Sequence, residues 1–215
     1  MVIFIVLFGE YVQLLDRLKN IQSTKGRAKH TNKNNLLSVF AEYDGQKVKV
    51  YETFNQAQVD LRLYIDQHDQ VSHYFPKVIN SDGLLIAEEF IEGTHARNCD
   101  VNVIQKEVGK LILTLRSIDY NKCTWDYLEH IHKRVSLPFT PLLLPNHINH
   151  NDLTIDNIIM TENGIKVIDN EFLACNNAWF MNVINAKFLT DPSLVFGIDS
   201  DVVQKYWKVR KSWKV

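Results

Sequence analysis

The hydrophobic and polar positions divide the chain into a strand-rich front and a helix-rich back that meet near residue 90. Two strand-like runs, 37–43 and 47–51, are joined by Asp44-Gly45, a dipeptide typical of a tight hairpin. Apolar residues then recur at helical spacing over 56–67. The front is therefore predicted to contain an antiparallel hairpin followed by one helix.

The pattern continues with short strands and longer helices. Strands are predicted at 76–79 and 84–86, with a turn over 80–83 between them. Helical spacing returns over 101–117 and again over 124–134. Farther along, two short strands at 158–160 and 165–168 flank a hairpin turn at Glu162-Asn-Gly164, and the end of the chain reads as helical over 202–215.

The first twenty residues are predicted to be an extension of the front. An apolar run over 1–8 precedes an amphipathic helix that carries Tyr11, Val12, Leu15 and Leu18. The run has no positively charged start and is too short to span a bilayer, so a buried strand or an apolar extension is favoured over a signal peptide. The polar stretch 22–35, which contains Gly26, is predicted to be a surface loop.

Composition narrows the class of protein. The 215 residues are 46% hydrophobic and 23% charged, which is typical of a soluble globular chain. Their 24 basic and 25 acidic side chains nearly cancel, so no excess positive charge favours a nucleic-acid partner. Three cysteines without a C-x-x-C pair argue against a disulfide framework and indicate a reducing, cytoplasmic location.

Chemically suggestive residues concentrate late in the chain. The segment His150-Asn-Asp-Leu-Thr-Ile-Asp-Asn157 places Asp152 and Asn157 five residues apart, and Asp169 follows at the end of an apolar strand. This arrangement can put one carboxylate beside a nucleophile and two oxygen ligands on a hard cation. Phosphoryl transfer with Mg²⁺ requires this combination.

The same residues resemble a known family. His150-Asn-Asp-Leu-Thr-Ile-Asp-Asn-Ile-Ile and Val167-Ile-Asp-Asn-Glu171 resemble motifs of the protein-kinase-like phosphotransferases, in the aminoglycoside phosphotransferase and choline kinase branch. The resemblance implies an α+β, two-lobed fold with a small N-terminal antiparallel lobe carrying one helix and a mainly helical C-terminal lobe. It implies lobes at 1–88 and 94–215, a hinge at 89–93, and ATP and Mg²⁺ as cofactors.

The resemblance also implies roles in the catalytic loop. Asp152 would accept the proton of the acceptor hydroxyl, and Asn157 and Asp169 would hold Mg²⁺. His150 would support the loop from behind, a structural role. Glu171 would lie near a second metal ion or form a hydrogen bond within its own loop.

Further roles fall in the N-terminal lobe. Lys49 on the second strand of the hairpin would reach the α- and β-phosphates, although Lys47 has the same side-chain parity. The next helix offers Asp60, with Asp66 as the second choice, to hold Lys49. In the predicted hinge, the backbone around Glu89, Phe90 and Ile91 would bind adenine.

Departures from the motifs bear on the acceptor. Asn151 stands where protein kinases carry an arginine that pairs with a phosphorylated loop, and no A-P-E segment follows Asp169. The short back half is also similar to the compact bacterial lipopolysaccharide core kinases that phosphorylate heptose or related sugars. A small-molecule or sugar acceptor is therefore favoured. A protein kinase stays open, as does a nucleotide-binding pseudokinase, since no glycine-rich loop precedes Gly45 and Asp60 replaces a glutamate.

Two other interpretations stay open. His147, His150 and Asp152 could form a zinc or iron site, because imidazole and carboxylate groups suit those metals. The basic stretch 202–215 could be an amphipathic helix that contacts an anionic membrane from the cytoplasmic side, which would suit a lipid-linked sugar as acceptor. Its alternative is a terminal helix that packs on the back lobe with solvated lysines.

Overall fold

The computed structural model describes residues 12–23, 37–120, 122–125 and 146–176. Several predictions lie outside these ranges. They concern the apolar run 1–8, the loop around Gly26, most of the helix predicted over 124–134, and the basic segment 202–215. They stay predictions.

The N-terminal lobe is a five-stranded antiparallel sheet with the strand order β1-β2-β3-β5-β4. The predicted hairpin is confirmed, and Asp44 and Gly45 both have positive φ angles, of 51° and 81°, as a tight two-residue turn requires. The strands are β1 (Leu18–Ser23), β2 (Ser38–Tyr43), β3 (Gln46–Glu52), β4 (Val78–Asp82) and β5 (Leu85–Glu89).

The start of the described chain differs from its prediction. Helix α1 spans Val12–Asp16, and Leu18 begins strand β1 instead of ending a helix. Leu14 and Leu18 are both buried, so their spacing fits a helix and a helix-to-strand junction equally well. The turn predicted over 80–83 is also displaced, because β4 continues to Asp82 and the chain turns at Gly83, whose φ is 54°.

The two faces of the sheet have different surroundings. One face is apolar, and Val48, Val50 and Leu85 pack there against Leu14 of α1. The opposite face carries Lys49, since residues alternate along β3. Part of this second face is covered by helix α2, where Val59 packs on Tyr51 and Ile86, and the rest turns toward the C-terminal lobe.

Helix α2 spans Gln56–Asp66, close to its predicted bounds. Its N-cap is Asn55, whose side-chain oxygen accepts a 3.0 Å hydrogen bond from the Gln58 backbone N–H. The amide nitrogen of the same Asn55 side chain donates to the Thr124 carbonyl at 2.8 Å, and Gln58 Nε2 donates to the Leu173 carbonyl at 3.1 Å. The first turn of α2 is therefore tied to the C-terminal lobe.

The described part of the C-terminal lobe combines one long helix with two small sheets. Helix α3, Val101–Ser117, begins after the N-cap Asp100 and buries the stripe Ile104, Val108, Leu111 and Leu115. Val103, which has the spacing of an apolar helix position, is half exposed. The sheets are β6-β8-β9 and β10-β7, formed by β6 (Thr94–His95), β7 (His147–Asn149), β8 (Ile158–Thr161), β9 (Gly164–Val167) and β10 (Ala174–Asn176).

The architecture is the predicted α+β arrangement with an antiparallel sheet in the N-terminal lobe. The exact bounds of the lobes at 88 and 94 stay predictions. Within the described ranges, no helix combines the length and the apolar character that crossing a bilayer requires.

Gly93 lies where the chain leaves the hinge and passes the backbone of β8. A Cβ added there would overlap the Met160 carbonyl oxygen and lie 2.6 Å from the Ile159 side chain. Replacing Gly93 with Ala is therefore expected to lower the free energy of unfolding by about 1–3 kcal/mol, as overpacking does. Urea denaturation monitored by tryptophan fluorescence measures this change.

Gly109 on helix α3 provides the matched control. Outside its own helix, a Cβ at Gly109 would have no atom of the described residues within 4 Å, so Gly109→Ala is expected to stabilise the helix by about 0.5–1 kcal/mol. Equal effects of the two substitutions would contradict the close approach at Gly93.

Candidate active site

The catalytic loop predicted from sequence runs from the end of β7 to the start of β8. Asn151 adopts a left-handed conformation with φ of 61°, which asparagine tolerates better than most residues. Asn157 Nδ2 donates to the Asp152 backbone oxygen at 2.8 Å and to Asp152 Oδ2 at 3.1 Å. The two residues that the motif places five apart are thus held side by side.

Asp169 follows β9 and is joined to the same loop through its neighbour Ile168. The Ile168 backbone N–H donates to the Asn157 carbonyl at 2.9 Å, and the Ile168 carbonyl accepts a 3.0 Å hydrogen bond from His150 Nε2. Asp169 itself is left-handed, with φ of 62° and ψ of 52°, and its side chain is 45% exposed. The turn that carries the Asp169 carboxylate is therefore fixed to the catalytic loop through Ile168.

Lys49 reaches this turn from the N-terminal lobe. Its Nζ contacts Asp169 Oδ1 and lies 3.1 Å from Glu171 Oε2, and the lysine side chain is only 8% exposed. Burial lowers the pKa of Lys49, but the carboxylates of Glu171 and Asp169 raise it by more, so the net pKa is raised and the side chain stays charged. One buried cation thus links the two lobes.

The structure does not bring Asp60 to Lys49, which corrects the predicted pairing. Asp60 lies on the exposed face of α2 and accepts a 3.0 Å hydrogen bond from Gln56 one turn earlier. Asp66, the second choice, accepts from the Val78 backbone N–H at 2.9 Å and does not reach Lys49 either.

Glu171 is the buried partner of Lys49, a role that had been predicted for a carboxylate on the helix. Its side chain is 9% exposed and pairs with Lys49. The family motif ending in glutamate drew attention to Glu171, but nothing in local spacing links it to a lysine 122 residues earlier. A contact of this separation is set by the packing of the two lobes.

Lys47 has the same parity on β3 as Lys49 but a different environment. Its Nζ lies 4.8 Å from the centre of the Phe90 ring, and its side chain is exposed. The lysine that contacts Asp169 is Lys49, the first choice of the sequence-based prediction.

Two backbone N–H groups of the predicted hinge are bonded within the N-terminal lobe. The N–H of Glu89 donates to the Lys77 carbonyl at 2.9 Å, and that of Phe90 donates to the Lys47 carbonyl at 3.2 Å. The N–H groups of Glu89 and Phe90 are therefore occupied, and adenine binding by the backbone of residues 89–91 stays a prediction. Ile91 is the one of them whose N–H donates to no other described residue.

Phe40 is a cleft residue that the sequence analysis missed. It pairs with Lys49 across the β2–β3 ladder, so both side chains lie on the same face of the sheet. Its ring meets Phe90 edge to face, with centroids 5.5 Å apart, and is 36% exposed. The hairpin register, counted back from Lys49, was the signal that could have found it.

The oxygen atoms at the site fit a magnesium ion. Mg²⁺ is usually bound by one or two protein oxygen ligands together with phosphate oxygens and water. Asp169 offers a partly exposed carboxylate, and Asn157 uses its amide nitrogen on Asp152, which leaves its amide oxygen for a metal. In the described ranges, no three His, Cys, Asp or Glu side chains gather as a metal cluster, so a zinc or iron site built from His147, His150 and Asp152 is not supported.

His150 is fully buried, and burial lowers its pKa to about 4. The neutral ring donates from Nε2 to the Ile168 carbonyl, which agrees with the predicted supporting role. The unfolded chain binds a proton at this residue below pH 6.5, whereas the folded chain does so only near pH 4. Protonation of His150 in the unfolded chain is therefore expected to lower the free energy of unfolding by up to about 3 kcal/mol as the pH falls from 6.5 to 4.

A His150→Gln variant tests this dependence, because glutamine can keep the donor but does not titrate. Its free energy of unfolding should depend less steeply on pH than that of the wild type between pH 6.5 and 4. Urea titrations at half-unit pH steps measure the difference, and parallel curves for the two proteins would show that His150 titrates normally.

Comparison with known proteins supports the fold. No protein-family model matches the sequence, and no curated protein sequence matches it significantly. Solved structures do match. The choline kinase LicA from Streptococcus pneumoniae aligns over 93% of this chain and 88% of its own, with 13% identity and a TM-score of 0.52.

Two aminoglycoside phosphotransferases match at a similar level. The ternary complex of APH(2″)-IIa with streptomycin and ATP covers 90% of this chain and 85% of its own, with 14% identity and a TM-score of 0.55. The type VIII aminoglycoside-3′-phosphotransferase aligns over 91% of this chain and 93% of its own, with 14% identity and a TM-score of 0.52. The chain therefore has the protein-kinase-like fold that its motifs predicted.

Proposed function

We propose that this protein is an ATP- and Mg²⁺-dependent phosphotransferase that moves the γ-phosphoryl group to a hydroxyl of a small molecule or sugar. The observation that carries this proposal is one continuous set of contacts across the cleft. Lys49 contacts Asp169, the Ile168 N–H binds the Asn157 carbonyl, and Asn157 binds Asp152. A cation, two metal-type oxygen ligands and a carboxylate are thereby held together, as phosphoryl transfer requires.

The residues of the chain would divide the reaction as follows. Asp152 orients the acceptor hydroxyl and takes its proton while the hydroxyl oxygen forms a bond to the γ-phosphorus. The bond from that phosphorus to the β–γ bridging oxygen breaks, and ADP leaves with the negative charge. Lys49 neutralises charge on the α- and β-phosphates. Asp169 and Asn157 would hold Mg²⁺, which would supply further positive charge on the phosphates.

The nucleotide base would lie at the outer end of the cleft. The Phe40 and Phe90 rings give this end an apolar wall suited to a purine, and Ile91 offers a backbone donor. The bound ATP named for the APH(2″)-IIa complex agrees with a nucleotide in this fold.

A small acceptor is favoured over a protein by the surroundings of Asn151. Its amide donates to the Asn149 carbonyl at 3.2 Å and to the Phe172 carbonyl at 2.8 Å. The position is therefore occupied by a neutral amide bound to the protein's own backbone, and it provides no charge for a phosphorylated loop. Candidate acceptors are aminoglycoside-like molecules and the sugars of a lipopolysaccharide core.

Nucleotide binding provides the first test. ATP at 100 times its dissociation constant is expected to stabilise the protein by about 2.7 kcal/mol, which corresponds to a rise of about 5–10 °C in melting temperature. The stabilisation should be larger with Mg²⁺ than with EDTA, and Asp169→Asn should remove the difference. No shift with millimolar ATP in either condition would contradict the proposal.

Transfer of labelled phosphate then identifies the acceptor class. Radiolabelled ATP is incubated with an aminoglycoside panel, heptose-containing lipopolysaccharide fragments and a degenerate peptide pool. Labelling of a sugar or aminoglycoside supports the proposal. Labelling of peptides alone would indicate a protein kinase, and nucleotide binding without transfer to any acceptor would indicate a pseudokinase.

A further inference from the structure

Glu88 is a buried carboxylate that neither the sequence motifs nor the proposed reaction uses. It lies on β5 directly opposite Lys49 and is 1% exposed. Burial of an ionised carboxylate is costly unless hydrogen bonds and an opposite charge compensate it. Its partners are therefore informative about why it is there.

Three side chains from three parts of the fold converge on this carboxylate. Tyr51 Oη of β3 donates to it at 2.8 Å, and Arg62 Nε of α2 donates at 2.5 Å. Asn170, the residue after Asp169, donates its amide to both Glu88 oxygens at 3.2 and 3.0 Å. Glu88 thus connects α2 with the turn that carries the candidate metal ligand.

Arg62 is itself almost fully buried and holds the helix side of this network. Burial lowers the pKa of Arg62, but Glu88, Tyr51 and Asp66 together raise it by more, so the net pKa is raised and Arg62 carries its charge. Arg62 also donates to the Pro76 carbonyl and lies 3.7 Å from Asp66. The buried ion pair between α2 and the sheet therefore joins a helix cation to a strand carboxylate, the reverse of the predicted lysine–helix carboxylate pair.

The Asp169 turn needs such a support. Asp169 is a non-glycine residue in the left-handed region, a conformation that persists when its surroundings determine it. Ile168 is held on one side by the catalytic loop, and Asn170 is held on the other by Glu88. Hydrogen bonds that orient a metal ligand typically affect metal affinity by about 10- to 100-fold when they are removed.

We infer that Asn170 is a positioning residue for the metal carboxylate of Asp169 and that Glu88, held by Arg62, is the anchor for Asn170. This inference rests on the proposed Mg²⁺–ATP function. It assigns a role to Asn170, which lies between the candidate metal ligand Asp169 and Glu171. Through Glu88 and Arg62, it also connects helix α2 to the candidate metal site.

The test compares ATP binding at increasing Mg²⁺ concentrations by isothermal titration calorimetry in wild type, Asn170→Ala and Tyr51→Phe. Tyr51→Phe is the matched control, because it also removes one donor to Glu88 but leaves the Asp169 turn in place. Asn170→Ala is expected to raise the Mg²⁺ concentration that gives half of the maximal increase in ATP affinity by about 10- to 100-fold. The dissociation constant for ATP in EDTA should change less than about twofold. Tyr51→Phe should leave both quantities near wild type.

A merely structural role would give a different pattern. The inference would be overturned if wild type and Asn170→Ala needed the same Mg²⁺ concentration. It would also be overturned if Asn170→Ala weakened ATP binding by the same factor with and without Mg²⁺. Glu88→Gln adds a second arm, because its amide oxygen can still accept from Asn170 while the charge opposite Arg62 is lost. It should lower the melting temperature more than Asn170→Ala does but keep the Mg²⁺ requirement within about threefold of wild type.

The two levels of proposal fail in different ways. If the wild-type protein shows no Mg²⁺-dependent ATP binding, the proposed function is overturned and this inference with it. If the wild type binds Mg²⁺–ATP and the Asn170→Ala variant binds it equally well, the function stands and the positioning role is overturned. The Asn170→Ala and Tyr51→Phe pair decides this even if Glu88→Gln is too unstable to purify.

Discussion

Replacing Asp152 with Asn is expected to lower kcat for phosphoryl transfer by about 100- to 10,000-fold, the range that general-base catalysis contributes. The amide keeps the size of the side chain and can still pack beside Asn157, but it cannot accept the proton of the acceptor hydroxyl. Binding of Mg²⁺–ATP should be retained, because Asp152 is not among the proposed metal ligands. Steady-state kinetics on the best acceptor, together with calorimetric ATP binding, measure both effects.

Asp156→Asn is the matched control for this substitution. Asp156 lies in the same loop, four residues later, but is exposed and pairs with Arg97 on the surface. A surface ion pair of this kind contributes at most about 1 kcal/mol to stability, and its loss should leave kcat within about twofold. Equal losses of kcat in the two variants would mean that a general disturbance of the loop, and not loss of the Asp152 carboxylate, lowers the rate.

Replacing Lys49 with Met is expected to affect both activity and stability. Removal of a positive group that stabilises transferring phosphates typically costs about 100- to 1,000-fold in rate. The change also leaves the buried Glu171 carboxylate without its cation, and breaking such a pair costs about 3–5 kcal/mol. We therefore expect a fall in kcat/KM of at least about 100-fold and a lowered urea midpoint.

Lys47→Met separates the specific role of Lys49 from a general effect of charge. Both lysines lie on the same face of β3, and the substitution is the same, but Lys47 is exposed and contacts Phe90 instead of the carboxylates. Its loss should change the urea midpoint little and alter KM for ATP more than kcat. If Lys47→Met reduced kcat as strongly as Lys49→Met, the assignment of the phosphate lysine would be wrong.

Much of the fold could be predicted because the signals for its helices and turns lie within or next to each element in the sequence. The β2–β3 hairpin is encoded by Asp44-Gly45 between alternating strands, and α2 and α3 each follow a capping residue and an apolar stripe. Strand β1 was missed, because the spacing of Leu15 and Leu18 suits one continuous helix as well as a helix followed by a strand.

The candidate site was predictable as far as its motifs are contiguous. Asp152 and Asn157 are close in sequence, so one loop conformation brings them together. The partner of Lys49 is Glu171 across 122 residues, and the partner of Arg62 is Glu88 on another element. Such pairs are selected by how helix, sheet and loop pack, and the hydrophobic pattern of each element alone contains no information about them.

The capping asparagine at the start of α2 has a consequence for motion between the lobes. One side-chain amide of Asn55 both caps the helix and binds the Thr124 carbonyl. Sliding α2 along its axis would therefore break the bond to Thr124 or uncap the first turn. A rotation that keeps Asn55 in place breaks neither contact. Because Arg62 ties the rest of α2 to Glu88 of the sheet, opening of the cleft for the proposed nucleotide is expected to be a rotation of α2 and the sheet together about a pivot at Asn55.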